Sequence, residues 1–109
     1  LVLGASGSSG CAAVQLAKAK GARVIAVAGG PEKAAFCKSI GADDVIDRKA
    51  QDITEAALQL TDGKGVSMVF DPVGGKAGRA AFKATAFEAL AQGRTERCQL
   101  PGIRFRRRA

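Results

Sequence analysis

The sequence predicts an α/β domain built on a doubly wound parallel sheet with helices on both faces. Three observations predict it. Short β-branched apolar runs alternate with segments of helical periodicity. A glycine-rich loop joins the first apolar run to the first helix. Strands and helices of these lengths, in strict alternation, favour right-handed parallel crossovers. The expected strand order is 3-2-1-4, a truncated form of the sheet with an irregular basic C-terminal tail.

Residues 1–4 are an apolar run ending in Gly4 and read as a strand already under way, so further residues are expected before Leu1. Residues 11–19 place Ala13, Val14, Leu16 and Ala17 at helical spacing, and Gly21 stands where a helix stops. Residues 23–28 are continuously apolar after Arg23, as a strand buried on both faces requires. Gly29 and Gly30 form a turn, and Pro31 suits the first position of a helix that runs to Ile40 and ends at Gly41. A third strand fits residues 44–47. Asp52 or Thr54 can start a helix to about Leu60, and residues 62–65 form a turn. Residues 66–70 are the expected fourth strand. A helix over residues 77–90 would align Phe82, Ala86 and Leu90. From Gln92 onward neither apolar periodicity continues, and an expected fifth strand is missing.

Composition narrows the classes. A chain of 109 residues, 47% hydrophobic and 25% charged, fits one ordinary globular domain. No stretch approaches the roughly 20 apolar residues of a membrane span, which argues against a membrane partner. Cys11, Cys37 and Cys98 form no C-x-x-C pair, which fits a reducing compartment: the cytoplasm, with the mitochondrion as a second fit. The absence of histidine excludes a histidine base and a histidine-ligated zinc within this chain, and no metal is expected. The net charge of +7 is concentrated late: residues 92–109 carry six arginines against Glu96. That tail has Phe105 as its one aromatic side chain, and the chain has no Trp or Tyr, which argues against a nucleic-acid partner.

The loop Gly4-Ala5-Ser6-Gly7-Ser8-Ser9-Gly10 carries the clearest chemistry. Free backbone N–H groups and the dipole of a helix N-terminus receive a pyrophosphate. Gly7 is expected at the closest approach, and Gly10 is expected to let the helix pack on the strand. Ala5 stands where the usual pattern has its first glycine. Ser8 or Ser9 can cap the helix and add a hydroxyl. The strand-loop-helix-strand context is that of a Rossmann domain. NAD enzymes usually place Asp or Glu about 20 residues on, at the end of the second strand. Gly29 and Gly30 stand there instead, with Lys33 and Arg48 near, which favours the 2′-phosphate of NADPH.

Four segments, residues 1–18, 21–26, 41–47 and 69–75, together resemble the medium-chain dehydrogenase/reductase superfamily, closest to its zinc-independent quinone oxidoreductase branch. The resemblance covers about residues 1–84. It implies that Ala5, Gly7, Ser8, Ser9 and Gly10 hold the pyrophosphate. It implies that Gly29, Gly30 and Lys33 surround the 2′-phosphate, and that Asp71, Val73 and Gly74 lie beside the bridge toward nicotinamide. Arg48 stands where the family often has tyrosine, and Ser9 where it usually has valine. The implied activity is hydride transfer from NADPH to a quinone or an activated carbonyl or alkene, with a small-molecule electron acceptor and a family-like homodimer. The family's barrel-like domain and its fifth and sixth strands have no counterpart in these residues. No catalytic residue is therefore nominated, and the chain alone is expected to be inactive. Residues 1–91 are read as a partial dinucleotide-binding domain. Residues 92–109 are read as a disordered basic tail, whose codons, shifted by one base, can spell a family-like G-F-A-S-G run. Two rival readings are an atypical short-chain reductase, disfavoured by Asp71–Gly75, and a non-catalytic nucleotide-binding module.

Overall fold

The computed structural model describes residues 1–85 and the backbone of a two-residue strand, Phe105–Arg106. Its elements are α1 Ser8–Ala19, β1 Ile25–Ala28, α2 Pro31–Ser39, β2 Asp44–Asp47, α3 Ile53–Leu60, β3 Val69–Phe70, α4 Gly75–Lys83 and β4 Phe105–Arg106. The α/β alternation is as expected.

β1 and β2 pair in parallel, with Ile25 opposite Asp44 and Ala28 opposite Asp47. β3 pairs antiparallel with β4. Residues 1–4 do not make a regular strand; the chain leaves the sheet immediately at Gly4, whose φ is 60°. Val2 instead forms single parallel bridges to Ala26 on one side and Phe70 on the other. Four backbone hydrogen bonds hold it there: Val2 N–H to Ile25 O at 2.8 Å, Val27 N–H to Val2 O at 2.8 Å, Leu3 N–H to Phe70 O at 3.0 Å and Phe70 N–H to Leu1 O at 2.9 Å. The expected strand over residues 66–70 is likewise shorter. Val66 turns to bridge Thr85 and donates its N–H to Ala84 O at 2.8 Å, so regular pairing begins only at Val69.

Alternation along β1 divides the interior in two. Ile25 and Val27 join Leu3, Ile46, Ile53, Ala57 and Ala81, the side covered by α3 and α4. Ala26 and Ala28 join Val2, Ala13, Val14, Cys37 and Phe70, the side covered by α1 and α2. All four residues of β1 are buried, as a strand covered on both faces must be.

Helix ends follow local chemistry. Asp52 caps α3, its Oδ2 accepting from Glu55 N–H at 3.0 Å, which resolves the choice between Asp52 and Thr54. Thr54 Oγ1 donates instead to Ala80 O at 2.8 Å and ties α3 to α4. Pro31 opens α2, and Gly21 and Gly41 leave their helices at φ of 82° and 114°. α1 begins earlier than residue 11, and Leu16 is 45% exposed rather than inward, because Gly10, Ala13 and Val14 form its packed face. α4 begins at Gly75 and stops at Lys83, well short of Leu90: Ala84 and Thr85 donate back to Ala81 O and Phe82 O at 3.1 Å and return the chain to Val66. Phe82 is 42% exposed, while Ala81 and Ala84 are buried; Ala86 and Leu90 lie outside the described residues.

Candidate dinucleotide-binding site

The glycine loop leaves the sheet through Ala5, whose N–H donates to Val27 O at 3.2 Å and whose side chain is fully buried. The Ala5 methyl group is thus part of the core. Gly7 N–H closes the turn on Gly4 O at 3.0 Å, and Gly7 O accepts the first helical bond from Cys11 N–H at 2.8 Å. Gly7 is therefore the N-cap of α1, and no side chain caps the helix. The expected capping role of Ser8 or Ser9 is corrected here: both lie inside the first turn and are exposed. The first N–H groups of an α-helix have no intrahelical partner, so this turn presents bare backbone donors flanked by two serine hydroxyls.

The two remaining glycines of the loop do different work. A Cβ on Gly10 would collide with Gly4 O and lie 2.7 Å from Ala5 Cα, so only glycine lets α1 pack this close to the turn. A Cβ on Gly7 would meet nothing nearer than Gly4 O at 3.4 Å. Its φ of −79° is also open to any residue. Nothing in the fold demands glycine at position 7, and the space a side chain would fill lies at the helix N-terminus. That is the form of a cradle for a group such as pyrophosphate.

The second region is the turn after β1. Gly29 is buried, and a Cβ there would lie 2.9 Å from Arg48 Nη2. The guanidinium of Arg48 therefore lies on this bare turn, brought there by the parallel pairing of β1 with β2. Gly30 adopts a φ of 101° and is the N-cap of α2. Its N–H donates to Asp47 Oδ1 at 2.9 Å, and Lys49 N–H donates to the same oxygen at 3.0 Å. Those backbone donors, with Lys49 and Arg48 nearby, hold the Asp47 carboxyl below the ordinary carboxylate value. Lys33 sits exposed in the first turn of α2.

Asp47 is the residue that sequence reasoning missed. The usual pattern places an acid at the end of the second expected strand, whereas this carboxylate arrives from the neighbouring strand, 17 positions along the chain. Its position at the end of the Asp44–Asp47 run was the available signal.

The third region meets the first. A Cβ on Gly4 would touch Val73 Cγ2 at 3.1 Å and Pro72 Cγ at 3.7 Å, so the turn after β3 rests against the glycine loop. Asp71 Oδ1 accepts from Val73 N–H at 3.0 Å and Gly74 N–H at 2.6 Å, which folds residues 71–74 into a tight turn. Its carboxylate also packs against Gly78 of α4. Asp71 thus shapes the turn, and Val73, 59% exposed, is the side chain presented beside the loop. Gly74 caps α4 at a φ of 72°.

One other feature lies apart from these regions. A groove of about 660 Å³, lined by residues including Ala17, Val24, Lys64 and Met68, shares no residue with the glycine loop. Among the described residues no three His, Cys, Asp or Glu side chains gather as a metal site, and they offer no set of ligands for zinc. No described helix is long and apolar enough to cross a membrane.

Comparison with known proteins identifies relatives of the chain. The family model described as zinc-binding dehydrogenase matches residues 10–91. The chain is 40% identical over 70 residues to a quinone oxidoreductase of Pseudomonas aeruginosa, covering 64% of this chain and 22% of that protein. Its structure is similar to that of an Escherichia coli quinone oxidoreductase complexed with NADPH, with a TM-score of 0.73 and 33% identity over 77% of this chain and 26% of the other. It is also similar to a structure described as an NAD-dependent alcohol dehydrogenase, with a TM-score of 0.74 and 39% identity over 78% of this chain and 25% of that one. The chain thus spans about a quarter of each of these proteins.

Proposed function

The chain belongs to the zinc-binding dehydrogenase family, among quinone oxidoreductase-like medium-chain dehydrogenases, and from that premise we propose that it is the NADPH-binding portion of an oxidoreductase. The whole enzyme would pass a hydride from NADPH to a quinone or to an activated carbonyl or alkene. The observation that carries this reading is Gly7, a glycine the fold does not need, set at an uncapped helix N-terminus.

In this reading the backbone N–H groups of Ser8, Ser9 and Gly10 hold the pyrophosphate against the bare face of Gly7, and the lack of a side chain on Gly10 keeps the helix close enough to present it. Gly29, Gly30, Lys33 and Arg48 receive the adenosine end. Asp71, Val73 and Gly74 form the wall toward nicotinamide. Bound NADPH supplies the hydride; the work of these residues is orientation. An electron acceptor of the quinone class and a homodimer belong to the whole enzyme, and the chain alone is inactive. The bridges of Val2 are read as the centre of a doubly wound sheet in the order 3-2-1-4.

Titration of the isotopically labelled chain with NADPH tests the reading. Amide resonances of Ser8, Ser9 and Gly10 should move together and saturate. Saturable binding that leaves those three amides in place would rule out the pyrophosphate site.

A further inference from the structure

The turn after β1 carries two fixed groups of opposite charge, contributed by the last residue of the neighbouring strand β2 and the residue that follows it. Asp47 Oδ1 takes both backbone donors, Gly30 N–H and Lys49 N–H, at 2.9 and 3.0 Å. Oδ2 has no donor among the described residues, and Asp47 is only partly buried. Arg48 lies with its guanidinium on Gly29 and is exposed. Among the described residues the ion pairs are Lys18 with Asp43 and Arg23 with Asp44, so neither Asp47 nor Arg48 is neutralised by one. Gly29 and Gly30 are consecutive, so acid and cation flank the same bare stretch of backbone.

A carboxylate at this end of a dinucleotide site accepts from a ribose 2′-hydroxyl, and an arginine accommodates a 2′-phosphate. A fixed carboxylate also repels a phosphate. The arrangement therefore contains an acceptor for NADH and a counter-charge for NADPH in one place.

We propose that Asp47 and Arg48 are an opposed pair that sets dinucleotide preference, Asp47 admitting NADH and opposing the 2′-phosphate, Arg48 drawing the 2′-phosphate in. This rests on the proposed dinucleotide site and deepens it. The site is then dual: it takes both cofactors, and the balance of the pair decides the ratio. A side chain at position 29 would displace the guanidinium from its place on the turn.

The test is calorimetric titration of the purified chain and two variants with NADPH and NADH separately. Asp47→Asn keeps an oxygen for Gly30 and Lys49 N–H and removes the charge, so the preference for NADPH over NADH should rise about tenfold. Arg48→Gln should lower it about tenfold, mainly through weaker NADPH binding. Both variants alter solvent-facing groups, and circular dichroism checks that each is folded. Unchanged ratios in folded, binding-competent variants overturn the opposed pair while leaving the site intact. Failure of the unmodified chain to bind either dinucleotide overturns the site itself.

Discussion

At the loop proposed for the pyrophosphate, backbone does the work: bare N–H groups, one glycine that packing demands at position 10 and one that it does not at position 7. At the turn proposed for the adenosine, side chains do it: Asp47 at the end of β2 and Arg48 just past it reach across to a stretch that has none of its own. The first region is made by residues adjacent in sequence. The second exists only after β1 and β2 have paired. A local motif can therefore announce the one and only half announce the other.

Four changes would break or sharpen that contrast. The largest effect is expected at Gly10. Gly10→Val forces a branched side chain into Gly4 O and Ala5 Cα, an overpacking that should cost about 3 kcal/mol or more. Urea unfolding followed by circular dichroism reads it, and a midpoint near that of the unmodified chain would show that α1 can step away. Gly7→Val meets no such obstacle and should fold. Cofactor affinity should instead fall by about 2 to 3 kcal/mol, the scale of hydrogen bonds to a charged group; retained NADPH affinity in the folded variant would place the pyrophosphate elsewhere.

A smaller effect is expected at Lys33. Lys33→Ala should weaken NADPH by about 1 to 2 kcal/mol and NADH much less. Equal losses would remove Lys33 from the 2′-phosphate environment. The smallest effect belongs to Asp43, at the opposite end of β2 from Asp47. Asp43 accepts from Val24 N–H at 2.7 Å and from Lys18 at 3.0 Å, and these hold its carboxyl below the ordinary value. A depressed folded value means that the unfolded chain binds the proton more readily. The contribution is fully present above the unfolded carboxylate value and is lost as pH falls through the folded one. The unfolding midpoint should therefore drop as pH falls through and below the ordinary carboxylate value of about 3.9, and Asp43→Asn should shrink that drop. An undiminished drop would assign the acid sensitivity to other groups. Since Asp43 lies away from the glycine loop, its substitution should leave the NADPH-to-NADH ratio alone.

Much of the fold was legible because its signals are local. β2 falls on the expected residues, and α2, α3 and the glycine turns fall within a residue or two, each marked by Pro31, Asp52, Gly21 or Gly41. The errors cluster where distant contacts decide. Leu16 carries the right spacing but faces outward, since close packing at Gly10 turns α1 onto Ala13 and Val14. α4 has residues fit to continue past Lys83, but pairing of Val66 with Thr85 ends it. In the site, Gly7 and Gly10 were readable from spacing, whereas Asp47 became visible only as a hydrogen bond across 17 positions.

The bridges of Val2 also order events in time. The first residues of the chain find one partner in Ile25 and Val27 and the other only at Phe70. On a ribosome adding roughly 5 to 20 residues per second, the wait between these two partners lasts some seconds. During it Val2 and Leu3 are held on one side only, with an unpaired flank of the kind that recruits other chains. The last hydrogen bonds of this region then close one of the longest loops the described chain contains, a slow step because non-local pairing must first absorb the entropy of closure.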